Sequence, residues 1–92
     1  MIVAAECEFF LYETHSLKEK RAILQRMLTR TRQQYNISIA ETDHQDLWQR
    51  AGITMAAVSS SGVTAEREID RVLNFLMSHS GWEMTSSKKY HL

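Results

Sequence analysis

The sequence has little that would mark a secreted, membrane-bound or catalytic protein. Its one cysteine, Cys7, cannot form an internal disulfide, which fits a reducing compartment. The opening residues MIVAAECEFF lack a basic leader, and Glu6 and Glu8 interrupt their apolar run. We therefore expect a cytoplasmic protein with neither a signal peptide nor a membrane span. No catalytic motif stands out, so we predict no catalytic residue, no cofactor and no metal.

What the chain does have is the length and composition of one globular domain. Its 92 residues are 43% hydrophobic and 24% charged, which is typical of a folded protein and not of a disordered one. That length supports one two-layer core. Because there is also no internal sequence repeat, low-complexity tract or linker, we predict a single domain over residues 1–92.

The longest helical pattern runs from His15 to Tyr35. Ser16 and Glu19 have the spacing of a capping box, so we expect the helix to begin there. Residues at helical spacing predict a buried stripe, formed by Leu17, Leu24, Leu28, Thr31 and Tyr35. Six lysines and arginines face one acid in this segment, which gives it a formal charge of +5 and leaves −5 for the rest of the neutral chain.

The remaining segments predict four strands and a second helix. Alternation of apolar and polar residues predicts strands over residues 2–12, 37–42, 48–59 and 82–91. The second helix is opened by Thr64 and ended by Gly81. The order βαββαβ predicts an α+β fold, a ferredoxin-like two-layer sandwich with two helices on one face of a four-stranded antiparallel sheet. We expect the first and third strands to be central and the fourth to lie at an edge.

This topology brings polar residues from distant segments to one edge of the sheet. The residues predicted to meet there are His15, Ser16, Asp43, His44, Asp46, Trp48 and Arg50. They could bind a divalent metal or a small molecule, with a histidine as acid or base and an aspartate as ligand. They could instead hold an anion at the helix N-terminus. A purely structural alternative pairs the aspartates with Lys18 or Arg21, and makes Trp48 a lid on the end of the core.

The first helix is the other candidate site. Arg26 and Arg30 are four residues apart, and no acid three or four residues away neutralises either. Such an excess of positive charge favours contact with nucleic acid, although a basic helix face is more often simply solvated. The cations predicted to take part are Lys18, Lys20, Arg21, Arg26 and Arg30.

The sheet face away from the helices does not match the usual RNA-recognition surface of this architecture. Its third strand lacks the Gly, Phe and Tyr pattern on which bases stack, and Glu6 and Glu8 would repel phosphates. An apolar patch on this face instead predicts self-association, with a homodimer as the simplest product. The residues predicted to form it are Phe10, Tyr12 and Val58, with Ala40 and Ala56.

Two motifs carry a resemblance to a known family. HSLKEKR at residues 15–21 and AETDHQDLWQRA at residues 40–51, followed by a helix ending in DRVLNFL, resemble the YlxP-like family of small uncharacterised bacterial proteins. The resemblance covers nearly the whole chain and implies a ferredoxin-like single domain. Because genes of that family often lie near those for translation initiation and ribosome maturation, it also implies a ribosome- or RNA-associated role. Family members commonly have a proline before the first motif, where this proline-free chain reads YET.

The leading hypothesis is therefore a cytoplasmic, non-catalytic binding module that associates with RNA or a ribosomal particle through the basic first helix. One alternative is an enzyme at the edge formed by His15, Asp43, His44 and Asp46. The other is a structural protein that associates with itself through the open sheet face.

Overall fold

The computed structural model describes residues 1–92 and has the predicted order of elements. These elements are β1 (Ile2–Leu11), α1 (Leu17–Gln34), β2 (Ser38–Asp43), β3 (Arg50–Val58), α2 (Gly62–Met77) and β4 (Trp82–His91). The strands form one antiparallel sheet in the order β2-β3-β1-β4. The ferredoxin-like α+β prediction is confirmed, with β1 and β3 central and β4 at an edge.

The core lies between the sheet and the two helices. The odd-numbered residues of β1, from Val3 to Leu11, are all buried, as the alternation of that strand predicted. Phe9 stacks on Trp82 with ring centroids 4.2 Å apart, and Trp82 Nε1 donates to the carbonyl of Leu76 at 2.6 Å. Burial raises the pKa of the Cys7 thiol to about 12, so this cysteine behaves as a small apolar residue.

Helix α1 begins at the predicted cap. Ser16 Oγ accepts a hydrogen bond from Glu19 N at 3.1 Å, and the Glu19 carboxylate accepts from His15 N at 2.8 Å. The two bonds satisfy donors that a helix N-terminus otherwise leaves open. The buried residues of α1 pack over β2 and beside α2, and they are Lys20, Leu24, Met27, Leu28 and Thr31. The presence of a lysine among them was not predicted.

Helix α2 differs from its predicted limits at both ends. It begins at Gly62, two residues before Thr64, because Ser61 is the cap and its Oγ accepts from Thr64 N at 3.3 Å. It ends at Met77, where the Ser78 hydroxyl and backbone N–H both bond to carbonyls of the last turn. Gly81 therefore lies in the turn after the helix and does not end it.

Candidate functional site

The start of α1 and the hairpin between β2 and β3 meet at one edge, as the topology predicted. Two side chains join them directly. Lys20 Nζ donates to the carbonyl of His44 at 2.6 Å, and Thr14 Oγ1 donates to the carbonyl of Trp48 at 2.6 Å. Since both donors are buried, these bonds fix the hairpin against the helix side of the molecule. We call this region the hairpin edge.

Lys20 was predicted to bind nucleic acid, and that prediction is wrong. The side chain has no solvent exposure, and Nζ lies 2.8 Å from Glu41 Oε2, which is itself buried and has no other partner. A buried ammonium is tolerated because the Glu41 carboxylate and the His44 carbonyl together replace its hydration. Lys20 is thus a structural cation and cannot reach a ligand in solvent.

On the open face of the sheet, the side not covered by helices, Glu8 links the central strand to the hairpin. One Glu8 oxygen lies 2.9 Å from His44 Nε2, and the other accepts from the Arg50 guanidinium at 2.8 Å. These hydrogen bonds hold the pKa of Glu8 below its usual value; the bond with His44 has the larger effect and the bond with Arg50 the next largest. The sequence alone shows Glu8 only as a charge that repels phosphate, because its partners depend on strand register.

Two backbone features position His44 beside Glu8. A β-bulge shifts the register of β2 after Glu41, so Asp43 lies opposite Gly52. Any Cβ at Gly52 would come within 2.6 Å of the Asp43 Cβ, so this close approach requires glycine. His44 itself adopts a left-handed backbone with φ of 59°, a conformation that costs about 1 kcal/mol in L-residues and in which His is enriched.

Glu8, Asp43 and His44 are the residues that come nearest to a metal site. Each offers a ligand atom within 4.8 Å of the others, and imidazole with carboxylate oxygen is a donor set that transition metals accept. However, Arg50 already pairs with Glu8, and His44 Nε2 already contacts the remaining Glu8 oxygen. The arrangement is complete as an internal ion-pair network.

Three other residues predicted for this edge, His15, Asp46 and Trp48, do not join the network around Glu8. No hydrogen bond or ion pair joins the side chain of His15 or of Asp46 to the Glu8 network. Trp48 is 52% exposed, which contradicts the structural alternative in which it covers the end of the core; Trp82 is buried there and stacks on Phe9. Trp48 lies outside the core because β3 begins only at Arg50, which leaves Trp48 in the hairpin loop.

The exposed face of α1 carries the unpaired positive charge that was predicted. None of its exposed cations has a carboxylate within 4.0 Å, and these cations are Lys18, Arg21, Arg26, Arg30 and Arg32. Their only acidic neighbour along the helix is Glu19, which is occupied by the capping bond. The pKa of His79 is lowered by burial and, to a smaller extent, by the positive charges of Arg26 and Arg30.

The open sheet face does not present the continuous apolar patch that was predicted for self-association. Val58 pairs with the start of β1, whereas Phe10 lies at the end of that strand and Tyr12 just beyond it. Eight residues of strand separate the two groups by about 27 Å. Glu6 and Glu8 lie on the same face between them. Phe10 and Tyr12 contact each other, with ring centroids 5.4 Å apart, and form a separate surface from Val58.

Comparisons with known proteins agree with this architecture and leave the function open. Residues 2–89 match the family model described as "Protein of unknown function (DUF503)". The chain is similar to "Uncharacterized protein YlxP" of Bacillus subtilis (strain 168), with 50% identity over 88 residues that cover 96% of each chain. The solved structure of "De novo designed protein Foldit4" is similar in fold alone, with a TM-score of 0.60 and 13% identity over 100% of this chain and 99% of that one. Neither helix is long and apolar enough to span a membrane.

Proposed function

The chain belongs to the DUF503 family of proteins of unknown function, and we propose that it is a small binding module that contacts RNA, free or in a ribosomal particle, through the exposed face of α1. One observation supports this proposal above all. Arg26 and Arg30 are exposed one helical turn apart, and neither has an acidic partner. A guanidinium without an internal partner keeps its hydrogen-bond donors available to phosphate.

The neighbours of the two arginines favour the same kind of ligand. Gln25, Thr29 and Gln33 line a shallow groove with Arg26 and Arg30, and all five are exposed. The arginines are about 6 Å apart at Cβ, as residues four apart on a helix are. Uncharged donors between them add hydrogen bonds to phosphate or sugar oxygens without adding repulsion. The groove thus suits a polyanion that runs along the helix.

The opposite side of the molecule favours binding to the helix face rather than to the sheet. Glu6 and Glu8 project from the centre of the open face, and the latter keeps its negative charge because its pKa is lowered. Carboxylates at these positions repel phosphates. We therefore expect RNA to bind on the α1 side.

The test is a double charge reversal, Arg26→Glu with Arg30→Glu. The probes are a fluorescein-labelled single-stranded uridine dodecamer and purified ribosomal subunits, measured by fluorescence anisotropy and by cosedimentation. We expect affinity to fall at least tenfold, and the slope of log affinity against log salt to become shallower by about 1.4, because two phosphate contacts are lost.

The matched control reverses two arginines with the same spacing on α2, Arg67→Glu with Arg71→Glu. Both pairs change the net charge equally, so general electrostatic repulsion affects both variants alike. Thermal unfolding checks that each variant is folded. Equal loss of RNA affinity in the two variants, or no loss in either, would contradict the proposal.

A second measurement uses His79 as a reporter. Positive charge from Arg26 and Arg30 contributes to its lowered pKa, so phosphates bound at these arginines should raise that pKa toward the usual value. An NMR titration of the His79 ring with and without the uridine dodecamer measures the shift. RNA binding that leaves the His79 pKa unchanged would place the RNA on another surface.

A further inference from the structure

Four large side chains form an exposed surface at one end of the open sheet face, which we call the aromatic corner: Phe10, Tyr12, Leu47 and Trp48. Phe10 is half-buried, whereas Tyr12, Leu47 and Trp48 are 48%, 45% and 52% exposed. Phe10, Leu47 and Trp48 line one concave surface, and Tyr12 packs edge-on against Phe10. Contiguous exposed apolar side chains mark interaction surfaces, and tryptophan is enriched among the residues that dominate binding.

The loop that carries Trp48 is held in place before any partner binds. The Trp48 carbonyl accepts from Thr14 Oγ1 at 2.6 Å, and Leu47 N donates to the carbonyl of His44 at 3.1 Å. After Trp48 in the chain, the carbonyl of Gln49 accepts a hydrogen bond from N of Leu11, the last residue of β1, at 2.8 Å. Because this backbone is tied to β1 and to the hairpin, little conformational entropy is lost when the exposed rings are covered.

The charges around the aromatic corner identify the kind of partner. Three carboxylates lie at or next to it, and one guanidinium opposes them; the acids are Glu8, Asp46 and Glu83, and the cation is Arg50. Asp46 lines the concave surface and has no ion-pair partner. Glu83 accepts a hydrogen bond from the Tyr12 hydroxyl at 2.7 Å, which raises the pKa of Tyr12 and leaves a negative charge beside the ring.

We propose that the aromatic corner binds an arginine-bearing peptide segment of a partner protein. A guanidinium stacks on an exposed indole face and at the same time pairs with a carboxylate, and Trp48 beside Asp46 offers both. The same face already uses this kind of contact internally, since Lys88 Nζ lies 5.2 Å from the ring centroid of Tyr90. This proposal does not depend on RNA binding, because α1 lies on the other side of the sheet.

The test measures the affinity of fluorescein-labelled octa-arginine by anisotropy, with octa-lysine and octa-glutamate as companion probes. We expect Trp48→Ala to weaken octa-arginine binding at least fivefold, and Asp46→Asn with Glu83→Gln to weaken it to a similar degree. Octa-lysine should bind less tightly than octa-arginine because it stacks less well, and octa-glutamate should not bind.

Two variants serve as matched controls. Val63→Ala truncates an equally exposed apolar side chain on α2, and Glu68→Gln with Asp70→Asn removes two carboxylates far from the aromatic corner. Both should bind octa-arginine as the wild type does. Equal weakening by Glu68→Gln with Asp70→Asn would show attraction to net charge alone, and equal weakening by Val63→Ala would show that the effect is not specific to Trp48; either would overturn the proposal.

Two other occupants of the aromatic corner give distinct results. If the corner binds a second copy of the chain, sedimentation of the protein alone will show a dimer that Trp48→Ala dissociates. If it binds RNA, Trp48→Ala will weaken binding of the uridine dodecamer and leave octa-arginine binding unchanged. Either result overturns the peptide proposal, and the second would also contradict binding of RNA on the α1 side.

Discussion

Both helices carry two exposed arginines four residues apart, yet only α1 presents free positive charge. On α2, Arg67 and Arg71 are interleaved with Glu66, Glu68 and Asp70, and Arg71 lies 3.8 Å from Glu68. On α1, no acid lies within four residues of Arg26 or Arg30 in the chain, and no carboxylate lies within 4.0 Å of either. Arginine spacing alone therefore does not make a polyanion surface; the absence of neighbouring acids does.

A similar difference exists within α1 itself. Lys20 is enclosed between Glu41 and the His44 carbonyl, whereas Arg26 and Arg30 remain in solvent. A charge count along the helix treats these residues alike. Their environments separate them into a cation that stabilises the fold and cations that are available to a ligand.

The largest expected effect is on stability, and it should come from removing the cation of the Lys20–Glu41 ion pair with Lys20→Ala. We expect a loss of about 3 kcal/mol in the free energy of unfolding, because the buried Glu41 Oε2 would lose its counter-ion and the His44 carbonyl would lose its partner. Urea unfolding of the variant and the wild type measures the difference, and RNA affinity of the folded variant should change little.

A second variant separates the contribution of the Lys20–Glu41 ion pair from that of side-chain packing at the same two positions. Lys20→Met with Glu41→Leu removes both charges and keeps apolar volume, so it should recover most of the stability lost in Lys20→Ala. If Lys20→Ala is as stable as the wild type, the ion pair is not what holds α1 to the hairpin.

An intermediate effect should follow from giving α1 the acids that α2 already has. Thr29→Glu with Gln33→Glu places a carboxylate three residues after each arginine, on the same exposed face. RNA affinity should fall about tenfold although both arginines remain, because each new acid competes with phosphate. The control is Thr29→Gln with Gln33→Asn, and undiminished affinity in the glutamate variant would show that the arginines do not contact the RNA.

The smallest expected effect is on the pH dependence of stability, and it concerns the partly exposed pairs that Glu8 forms with His44 and Arg50. Because Glu8 has a lowered pKa in the folded state, its contribution to stability is present above its ordinary pKa and is lost as pH falls through the lowered value. Wild type should therefore lose more stability between pH 6 and pH 3 than Glu8→Gln does. The difference should stay below about 1 kcal/mol, since solvent screens these partly exposed pairs.

Urea midpoints across that pH range provide the measurement. Addition of salt at pH 6 serves as a control, because screening weakens the Glu8 ion pairs. Salt should therefore reduce the difference in free energy of unfolding between the wild type and Glu8→Gln. A wild type and a variant with parallel pH profiles would mean that the Glu8 pairs contribute nothing to folding.

Much of the fold could be predicted because it depends on local patterns. The alternation in β1 identified its buried face, and Ser16 with Glu19 identified the start of α1, since each signal lies within one element. The limits of α2 were less predictable because Ser61 and Thr64 are both good caps, and only the observed backbone shows that Ser61 accepts the hydrogen bond. The meeting of α1 with the β2–β3 hairpin also followed from strand order alone.

The sequence by itself determined the order of the elements, the inward face of β1 and the lack of acids along the helix beside Arg26 and Arg30. Only the tertiary structure decided that Lys20 is buried, that Trp48 is exposed and that Glu8 pairs with His44 and Arg50. The physical reason is that periodicity orients a side chain relative to its own helix or strand. Its partner across the sheet depends on register and on the bulge at Asp43, which arise only when distant segments pack together.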